Sequence, residues 1–290
     1  MSLIKPLLNA VGRQVLNALV APKGAELAEH RSKEARELWA QGQHENTSVV
    51  VRGDVGAGRE AGILYRALAE ALEVDESRRG GDFDRILEIV GMSGRKYRRL
   101  INRYVALSKA PRYLEVGSWA GSTACAAIHG NQVGITCIDD WSQFGGPRDA
   151  FFKNIEAASN PGVAFSFIES DYREVDFAAL GPPFSIYLFD GPHSRQEQYD
   201  GVRLAQSALA ETFLLIVDDW NWEQVRKGTL DAIADEKLRL HLSVEIRTSQ
   251  DNSHPTSAMQ FSDWHNGYYL CACRKDPAAR RARNAPGSDR

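Results

Sequence analysis

One stretch near the middle of the chain constrains the fold more than any other. Residues 113–123 read YLEVGSWAGST, an apolar strand that ends in an acidic residue and a glycine turn, after which small residues open a helix. A doubly wound α/β sheet forms a nucleotide-like pocket in this way, at the carboxyl end of its first strand. The stretch therefore predicts a strand, a tight turn and a helix beside a bound ligand.

Downstream of Pro111, short apolar runs alternate with helical segments. The runs that predict strands are 113–116, 134–138, 164–169, 184–189 and 213–217. Strands separated by helices indicate a parallel sheet with right-handed crossovers. After a helix near 223–237, strands at 241–248 and 268–274 are joined by the loop 249–267, which suits an antiparallel closing hairpin. We therefore predict a doubly wound, Rossmann-like α/β fold with a mostly parallel seven-stranded sheet.

The first hundred or so residues carry a different pattern, which predicts helices and no strand. Apolar residues recur at helical spacing in 61–72, and 25–41 is charged and helix-prone. Ser93 is placed to cap a helix that runs to about Leu107. That helix is basic, which indicates either a solvated face or contact with an anionic partner. Its basic residues are Arg95, Lys96, Arg98, Arg99 and Arg103.

The expected organisation has three parts. Residues 1–107 form a helical cap or oligomerisation region, 108–275 form the ligand-binding core, and 276–290 form a disordered tail rich in Arg, Ala, Pro and Gly. Within 1–22, polar residues interrupt the apolar ones, so neither a signal peptide nor a membrane span is expected. The segment suits a helix on the protein's own core, on a twin subunit or on a membrane surface. A homodimer is the expected assembly.

Composition narrows the classes of partner. Hydrophobic residues make up 43% and charged residues 25%, which is the balance of an ordinary soluble globular protein. The formal net charge of -3 argues against a nucleic-acid partner. The four cysteines include no CxxC pair, so we expect buried thiols in a reducing compartment and a cytoplasmic protein.

Two common nucleotide-binding motifs do not fit the sequence. A dinucleotide fold needs G-x-G-x-x-G, and counting from Gly117, Trp119 and Ser122 stand where the second and third glycines belong. A tryptophan there would obstruct the approach of the backbone to a pyrophosphate, which disfavours NAD and FAD. The sequence has no G-x-x-x-x-G-K-[ST] loop, so ATP or GTP on a P-loop is not expected.

Acidic residues end the next two predicted strands. Asp139 follows the glycine turn by about twenty residues, where an acid usually holds ribose hydroxyls. The third strand ends at Glu169-Ser-Asp171, so another carboxylate lies at the same edge of the sheet. Three acid-terminated strands in succession favour an adenosine ligand with its own ribose.

With these motifs, residues 113–274 resemble the class I S-adenosylmethionine-dependent methyltransferases, and most closely the metal-dependent small-molecule O-methyltransferases of the macrocin and catechol types. The lead-in 92–102 also resembles the helix before the first strand there. The resemblance implies that Glu115 lies at the methionine end of the methyl donor, that Asp139 holds the ribose and that Asp171 lies by the adenine, although a helix cap is the alternative for Asp171. The full set of implied cofactor-binding residues is Glu115, Gly117, Ser118, Trp119, Gly121, Ser122, Asp139, Asp171, Tyr172 and Asp190.

The fourth and fifth strands end in further polar residues. Asp190 and His193 follow the fourth strand, and Asp218 and Asp219 follow the fifth. Because neighbouring parallel strand ends converge, three carboxylates and a histidine should cluster beside the cofactor. Carboxylates that close repel one another, and a hard divalent ion such as Mg²⁺ would relieve the repulsion. The resemblance also places metal ligands at the three acids, although Ala210-Glu-Thr212 replaces the usual Gly-Gly before the fifth strand.

This cluster suggests a reaction. A metal ion lowers the pKa of a substrate hydroxyl, and His193, with Asp190 beside it, accepts the proton before the oxygen attacks the methyl group. We expect O-methylation of a small molecule such as a sugar or a phenol. In the metal-free alternative, Asp190 or Asp219 bonds the start of a helix and His193 is a loop residue. Other classes remain open: a non-catalytic cofactor-binding partner subunit, N-methylation, or metal-dependent oxidation.

Further polar and aromatic residues flank the predicted crevice. His254 and His265 lie in the loop 249–267, which suits either a lid or an ordinary surface loop. No His or Cys pair in the sequence has the spacing of a zinc site. Four aromatic residues follow strand ends and either wall the acceptor pocket or pack in the core. They are Trp141, Phe144, Trp220 and Trp222.

Overall fold

An eight-stranded sheet forms the centre of the computed structural model, which describes residues 47–74, 81–255 and 261–276. The strands are β1 (Ser48–Gly53), β2 (Arg112–Val116), β3 (Val133–Asp139), β4 (Val163–Glu169), β5 (Phe184–Phe189), β6 (Leu209–Val217), β7 (Arg239–Arg247) and β8 (Tyr268–Arg274). The helices are α1 (Arg59–Glu73), α2 (Asp84–Leu87), α3 (Arg95–Leu107), α4 (Ser122–Ile128), α5 (Arg148–Ala158), α6 (Arg195–Leu204) and α7 (Glu223–Asp235).

The strand order is β1-β7-β8-β6-β5-β2-β3-β4. Strands β4, β3, β2, β5 and β6 pair in parallel, and β8 is antiparallel to both β6 and β7. Strands such as β5 are apolar and buried along nearly their whole length because helices cover both faces of the sheet. The predicted doubly wound, mostly parallel sheet is confirmed, and so is the antiparallel hairpin of β7 and β8.

The eighth strand, β1, lies where the sequence predicts only helices. It pairs antiparallel with the outer edge of β7, with Val49 opposite Ile246. Three consecutive valines favour an extended backbone, and pairing gives their amide groups partners at an otherwise open sheet edge. Gly53 ends the strand with φ 109°, and a Cβ there would lie 2.3 Å from the carbonyl oxygen of His241. The expectation of a region without strands was therefore wrong at this segment.

Two apolar layers cover the faces of the sheet. One layer buries residues of α1, α3, α4 and α5, including Leu64, Tyr97 and Phe151. The other buries residues of α6 and α7, including Val202 and Val225. The strand order reverses between β2 and β5, which is where open α/β sheets leave a crevice outside the carboxyl ends of their strands.

The basic helix α3 is bonded within the chain. Arg98 is fully buried and donates to the carbonyl oxygens of Ile86, Leu87, Ile89 and Gly91. The other four basic side chains lie beside acids, in the pairs Arg95–Glu88, Lys96–Asp263, Arg99–Asp84 and Arg103–Glu70. The positive charges of this helix therefore hold the segments around it and do not form the solvated face that the sequence suggested.

The start of α3 also differs from the prediction. Its N-cap is Gly94, and the backbone N–H groups of Arg95 and Lys96 donate to the carbonyl oxygens of Ser262 and Asp263. Ser93 bonds sideways, because its Oγ lies 2.9 Å from Ser122 Oγ and accepts from Arg98 Nε. The serine therefore ties α3 to the start of α4.

Several expectations fall outside the described residues: the helices in 1–22 and 25–41, the tail from 277 onward and the middle of the long loop at 256–260. Among the helices of the described ranges, none combines the length and apolarity that a bilayer crossing needs. The predicted free thiols are confirmed, because all four cysteines are buried and unpaired by disulfides.

Candidate active site

The glycine turn after β2 is packed against the residue that ends β5. Gly117 has φ 85° and Gly121 has φ 80°, values that favour glycine, while Trp119 adopts φ 45° despite its side chain. A Cβ on Gly117 would lie 2.0 Å from the carbonyl oxygen of Asp190. The turn therefore packs directly against the backbone of the residue that follows β5.

Two predicted residues beside this turn have buried oxygens. Glu115 is fully buried and accepts a 2.6 Å hydrogen bond from the Tyr113 hydroxyl. The hydroxyls of Ser118 and Thr123 also act on this carboxyl, although Oε1 and the Ser118 hydroxyl lack the geometry of a full hydrogen bond. Burial raises the pKa of Glu115 to about 7, against the hydrogen bonds that would lower it. Ser122 opens α4 and is buried against Ser93.

Asp139 ties the end of β3 to the glycine turn. Its two carboxylate oxygens each accept a 2.8 Å hydrogen bond from a backbone N–H, one from Trp119 and one from Trp141. Because each carboxylate oxygen has two lone pairs, these bonds leave acceptor capacity for a further ligand. Contact with a ribose stays a prediction.

Asp171 caps a short turn after β4. Its carboxylate accepts from the backbone N–H of Arg173 at 2.9 Å and from the guanidinium of the same residue. The hydrogen bond from Arg173 holds the pKa of Asp171 below its ordinary value. Tyr172 is buried, with its ring 5.3 Å from that of Phe189. Asp171 thus fills the capping role considered for it, and contact of either residue with adenine stays a prediction.

The predicted cluster of acids and histidine forms at the ends of β5 and β6. His193 Nε2 lies 4.0 Å from Asp190 Oδ1 and 2.5 Å from Asp219 Oδ2, although its geometry is not that of a hydrogen bond. One ligand atom from each of these three residues lies within 4.8 Å of the others. The three atoms could hold one metal ion.

Asp218 is the predicted metal ligand that lies outside this group. Its side chain is buried, Oδ1 accepts from the backbone N–H of Asp219 at 2.6 Å, and Oδ2 has no partner among the described residues. Asp219 has φ 58°, so the backbone turns sharply between the two acids. The structure thus groups His193 with Asp190 and Asp219. The metal site predicted from the sequence consisted of Asp190, Asp218 and Asp219, so His193 takes the place of Asp218.

The cluster has strongly perturbed pKa values. Burial and the charges of Asp218 and Asp219 raise the pKa of Asp190 well above its ordinary value. Burial also raises that of Asp218. For His193, burial acts to lower the pKa, but the charge of Asp219 outweighs it and the net shift is upward. For Asp219, burial is outweighed by His193, and the pKa is lowered. His193 and Asp219 therefore form a proton-holding pair beside two carboxyls that favour protonation or a cation.

Two asparagines, which the sequence analysis missed, position Asp219. Asn266 is fully buried, and its Nδ2 donates to Asp219 Oδ1 at 2.6 Å. Its Oδ1 accepts from Asn221 Nδ2 at 2.9 Å, and its carbonyl oxygen accepts from the backbone N–H of Asn221. Asn221 Oδ1 in turn accepts from the backbone of Thr248. The only sequence signal was a polar residue before Gly267, which is too common to single out.

The four flanking aromatics have different places. Trp222 lies at the cluster, with its ring 5.1 Å from that of His193. Trp220 is fully buried and stacked on Tyr269, and Trp141 stacks on Phe167. Phe144 is about half exposed, at 49%. Trp222 alone of these four is therefore placed beside the predicted base.

The described part of the long loop approaches the same residues. The rings of His254 and His265 are 5.4 Å apart, and His254 is 6.4 Å from Trp222. Burial lowers the pKa of His265 to about 3, so this histidine is neutral near pH 7. Its position beside the cluster suits a wall of the crevice.

Comparison with protein-family models and with curated proteins finds no match for this sequence. Among solved structures, the chain is similar to the SAH-bound methyltransferase PaMTH1 of Podospora anserina, with 14% identity over 89% of this chain and 99% of that chain and a TM-score of 0.46. It is also similar to the ribosomal protein L11 methylase of Lactobacillus delbrueckii subsp. bulgaricus, with 16% identity, coverage of 62% and 78%, and a TM-score of 0.41. A third similar structure is TrmN of Thermus thermophilus, with 15% identity, coverage of 62% and 48%, and a TM-score of 0.38. Similarity at this level assigns no reaction.

Proposed function

We propose that this chain is an S-adenosylmethionine-dependent methyltransferase that methylates a hydroxyl oxygen of a small molecule, such as a sugar or a phenol. The proposal rests on the close packing of Gly117 against the backbone of Asp190, which brings the glycine turn next to a residue whose side chain belongs to the acid cluster. A ligand on the turn would have its reactive end beside Asp190 and His193. Residues 1–107, apart from strand β1, are proposed as a helical region through which the chain would dimerise.

The buried groups around the turn fit a positively charged methyl donor. Glu115 is a buried carboxyl beside the turn, and burial together with the neighbouring carboxyls raises the pKa of Asp190. S-adenosylmethionine, when bound, supplies an electrophilic methyl group on a cationic sulfonium. Glu115 and Ser118 are proposed to accept hydrogen bonds from the amino-acid end of this ligand, and Asp139 from its ribose.

His193 is proposed as the proton acceptor for the substrate hydroxyl. Its Nε2 is directed at Asp219, whose carboxylate stabilises the imidazolium after proton transfer. Asn266 holds that carboxylate in place through its amide. Trp222 packs against the edge of the imidazole and limits the access of water. Most of the remaining acceleration would come from positioning the two reactants.

A metal-assisted reaction is the second arrangement, supported by the three converging ligand atoms of Asp190, His193 and Asp219. A divalent cation, when bound, supplies positive charge that lowers the pKa of a substrate hydroxyl. Mg²⁺ prefers oxygen ligands, and a set with one imidazole also suits Mn²⁺. A cation held among Asp190, His193 and Asp219 would displace the proton that His193 and Asp219 hold between them, so the two arrangements exclude each other.

The proposal is tested with the full-length chain in two steps. Calorimetry with S-adenosylmethionine, with and without Mg²⁺ or Mn²⁺, is expected to give saturable binding. Incubation with a panel of phenols and sugars is then expected to give an O-methyl product, identified by mass spectrometry. Binding without turnover on any acceptor would favour a non-catalytic partner subunit, and the absence of binding would refute the proposal.

A further inference from the structure

Tyr97, in the first turn of α3, carries a hydroxyl group that no described residue satisfies. Its side chain is fully buried, and the hydroxyl oxygen makes no hydrogen bond within the described part of the chain. Burial of a polar group without a partner costs free energy, so such a group indicates an ordered water or a ligand that completes it. The mechanism proposed above makes no use of this hydroxyl.

Two contacts place Tyr97 beside Asp218. Its ring stacks on that of Tyr268, with the ring centroids 3.8 Å apart and the planes 9° from parallel. The antiparallel ladder of β6 and β8 pairs Val217 with Tyr269. One step further along the ladder, Asp218 therefore stands opposite Tyr268. Burial raises the pKa of Asp218, and the Tyr268 side chain acts against that rise.

The segment that leads into α3 also contacts the glycine turn. Ser93 Oγ lies 2.9 Å from Oγ of Ser122, which directly follows Gly121 of the turn. A Cβ on Gly91 would lie 2.1 Å from the same hydroxyl oxygen, so the two segments pack closely. Tyr97 comes four residues after Ser93, about one helical turn. Residues 91–97 therefore span the distance between the glycine turn and the acid end of β6.

Three carboxyls lie on the face of the sheet that α3 covers. Glu115 stands level with Leu188, which in turn stands level with Ile216. Leu188 and Ile216 belong to the same buried layer as Tyr97. Each is followed two residues later by an acid, and side chains two apart along a strand point to the same face. The three acids are Glu115, Asp190 and Asp218. Burial raises the pKa of Tyr97 well above its ordinary value, and the charges of these acids add to the rise.

A protonated hydroxyl among acids suits a cation that carries N–H donors. A tyrosine hydroxyl can accept one hydrogen bond while its own proton is donated to a carboxylate. S-adenosylmethionine has two cationic centres, an ammonium and a sulfonium. The ammonium offers three N–H donors and the sulfonium offers none, so the ammonium alone can donate a hydrogen bond of this kind to the oxygen. Such a bond is charge-assisted and stronger than one between neutral groups.

We propose that the Tyr97 hydroxyl binds the ammonium group of the methyl donor, together with the carboxyl of Glu115. The inference rests on the proposed function, because it takes S-adenosylmethionine as the ligand of the glycine turn. It adds a residue of α3 to a site whose other proposed residues come from the glycine turn and the ends of strands. Tyr97 then favours ligands that keep their amino-acid end.

The test is calorimetric titration of the full chain with S-adenosylmethionine, with S-adenosylhomocysteine and with 5′-methylthioadenosine, which lacks the amino-acid end. Tyr97→Phe removes one oxygen and keeps the ring that stacks on Tyr268. Its affinity for the first two ligands should fall about tenfold or more, because a hydrogen bond to a charged group is lost. Its affinity for 5′-methylthioadenosine should equal that of the wild type.

Tyr187→Phe is the matched control. The Tyr187 side chain is also fully buried, but its hydroxyl donates to the Gly201 carbonyl oxygen at 2.8 Å, in the layer on the opposite face of the sheet. This variant should bind all three ligands like the wild type. Thermal unfolding of the free proteins should show the reverse pattern. Tyr97→Phe loses no hydrogen bond and should keep or raise the Tm, whereas Tyr187→Phe should lower it.

An unchanged affinity of Tyr97→Phe for S-adenosylmethionine, or an equal loss for all three ligands, would overturn the assignment of Tyr97. Either result leaves the proposed function intact if the wild type binds the donor and methylates an acceptor. A wild type that methylates no acceptor, while Tyr97→Phe shows the expected losses, would support the ammonium site and refute the proposed function. A wild type that binds none of the three ligands would overturn both.

Discussion

Asn266 Nδ2 donates a 2.6 Å hydrogen bond to Asp219 Oδ1 from a turn 47 residues further along the chain. The other oxygen of that carboxylate faces His193. Asp219 also adopts φ 58°, a left-handed backbone that is strained for a residue with a side chain. A neutral amide, an imidazole and a strained backbone thus fix this acid in one orientation.

Replacing Asn266 should loosen that arrangement. Asn266→Ala removes the buried donor of Asp219 Oδ1 and one of the partners of the Asn221 amide, so we expect a loss of about 1–3 kcal/mol in the free energy of unfolding. Methyl transfer should fall about tenfold or more, and the pH profile should change with it. Asn160→Ala is the control, because it also removes a side-chain amide donor, one that bonds the Asn131 backbone carbonyl away from the site. An unchanged pH profile in Asn266→Ala would show that the amide has only a structural role.

The pKa of His193 should appear in the pH dependence of the rate. A base must be deprotonated, and Asp219 raises this pKa, so the rate should fall on the acid side at a pH above 6.5. Asp219→Asn removes the negative charge beside His193, so the fall in rate on the acid side should move to lower pH. His193→Ala should reduce kcat/KM by about 10²–10⁴-fold. His129→Ala, at a histidine paired with Asp82, should leave the profile unchanged.

Glu115 should make the stability of the free protein depend on pH. Its folded pKa of about 7 lies above its ordinary value of 4.5, so its contribution is fully present below pH 4.5 and is lost as the pH rises through 7. Relative to the wild type, Glu115→Gln should therefore gain about 3 kcal/mol in unfolding free energy between pH 4 and pH 8. Denaturant unfolding at the two pH values measures the gain.

The same substitution should weaken cofactor binding, because an amide offers a poorer acceptor to a cationic ligand. Glu169→Gln, at an exposed acid that ends β4, is the control and should show no such gain at high pH. If the difference in unfolding free energy between Glu115→Gln and the wild type were the same at both pH values, the buried carboxyl would not carry a raised pKa.

Metal binding distinguishes two sets of ligands. If a cation binds, Mg²⁺ or Mn²⁺ should raise Tm saturably. At a cation concentration one hundred times Kd, the free energy of unfolding should increase by about 2.7 kcal/mol. Asp190→Asn and Asp219→Asn should abolish the response, whereas Asp218→Asn should retain it, since Asp218 lies outside the converging atoms. Loss of the response in Asp218→Asn but not in His193→Ala would favour the set predicted from the sequence. A wild type without a response would favour His193 as a metal-free base.

The alternation of apolar runs and helices was enough to predict the parallel sheet and its closing hairpin, because each strand carries its own signal. Strand β1 was missed because its run of three valines does not belong to a series in which strands alternate with helices. Its pairing depends on the edge of β7, which is distant in the sequence. The basic pattern of α3 indicated either a solvated face or contact with an anionic partner. Arg98 is instead buried among backbone carbonyls that no local pattern reveals.

The candidate site could be predicted from the sequence only in part, because some of its contacts join distant parts of the chain. Strand ends showed that Asp190, His193, Asp218 and Asp219 would meet. They could not show that the left-handed backbone of Asp219 sends the two neighbouring acids in different directions. The role of Asn266 comes from a loop on another part of the chain, and contacts between remote loops leave no periodic signal.

The most direct test of the central claim is a calorimetric titration of the full chain with S-adenosylmethionine. The wild type should bind one equivalent. Gly117→Ala should lose binding, because its Cβ would lie 2.0 Å from the Asp190 carbonyl oxygen. Gly145→Ala is the matched control, since Gly145 has a similar φ of 80° but no atom within 4 Å of a new Cβ, and it should bind like the wild type. A folded wild-type protein that does not bind S-adenosylmethionine would contradict the account.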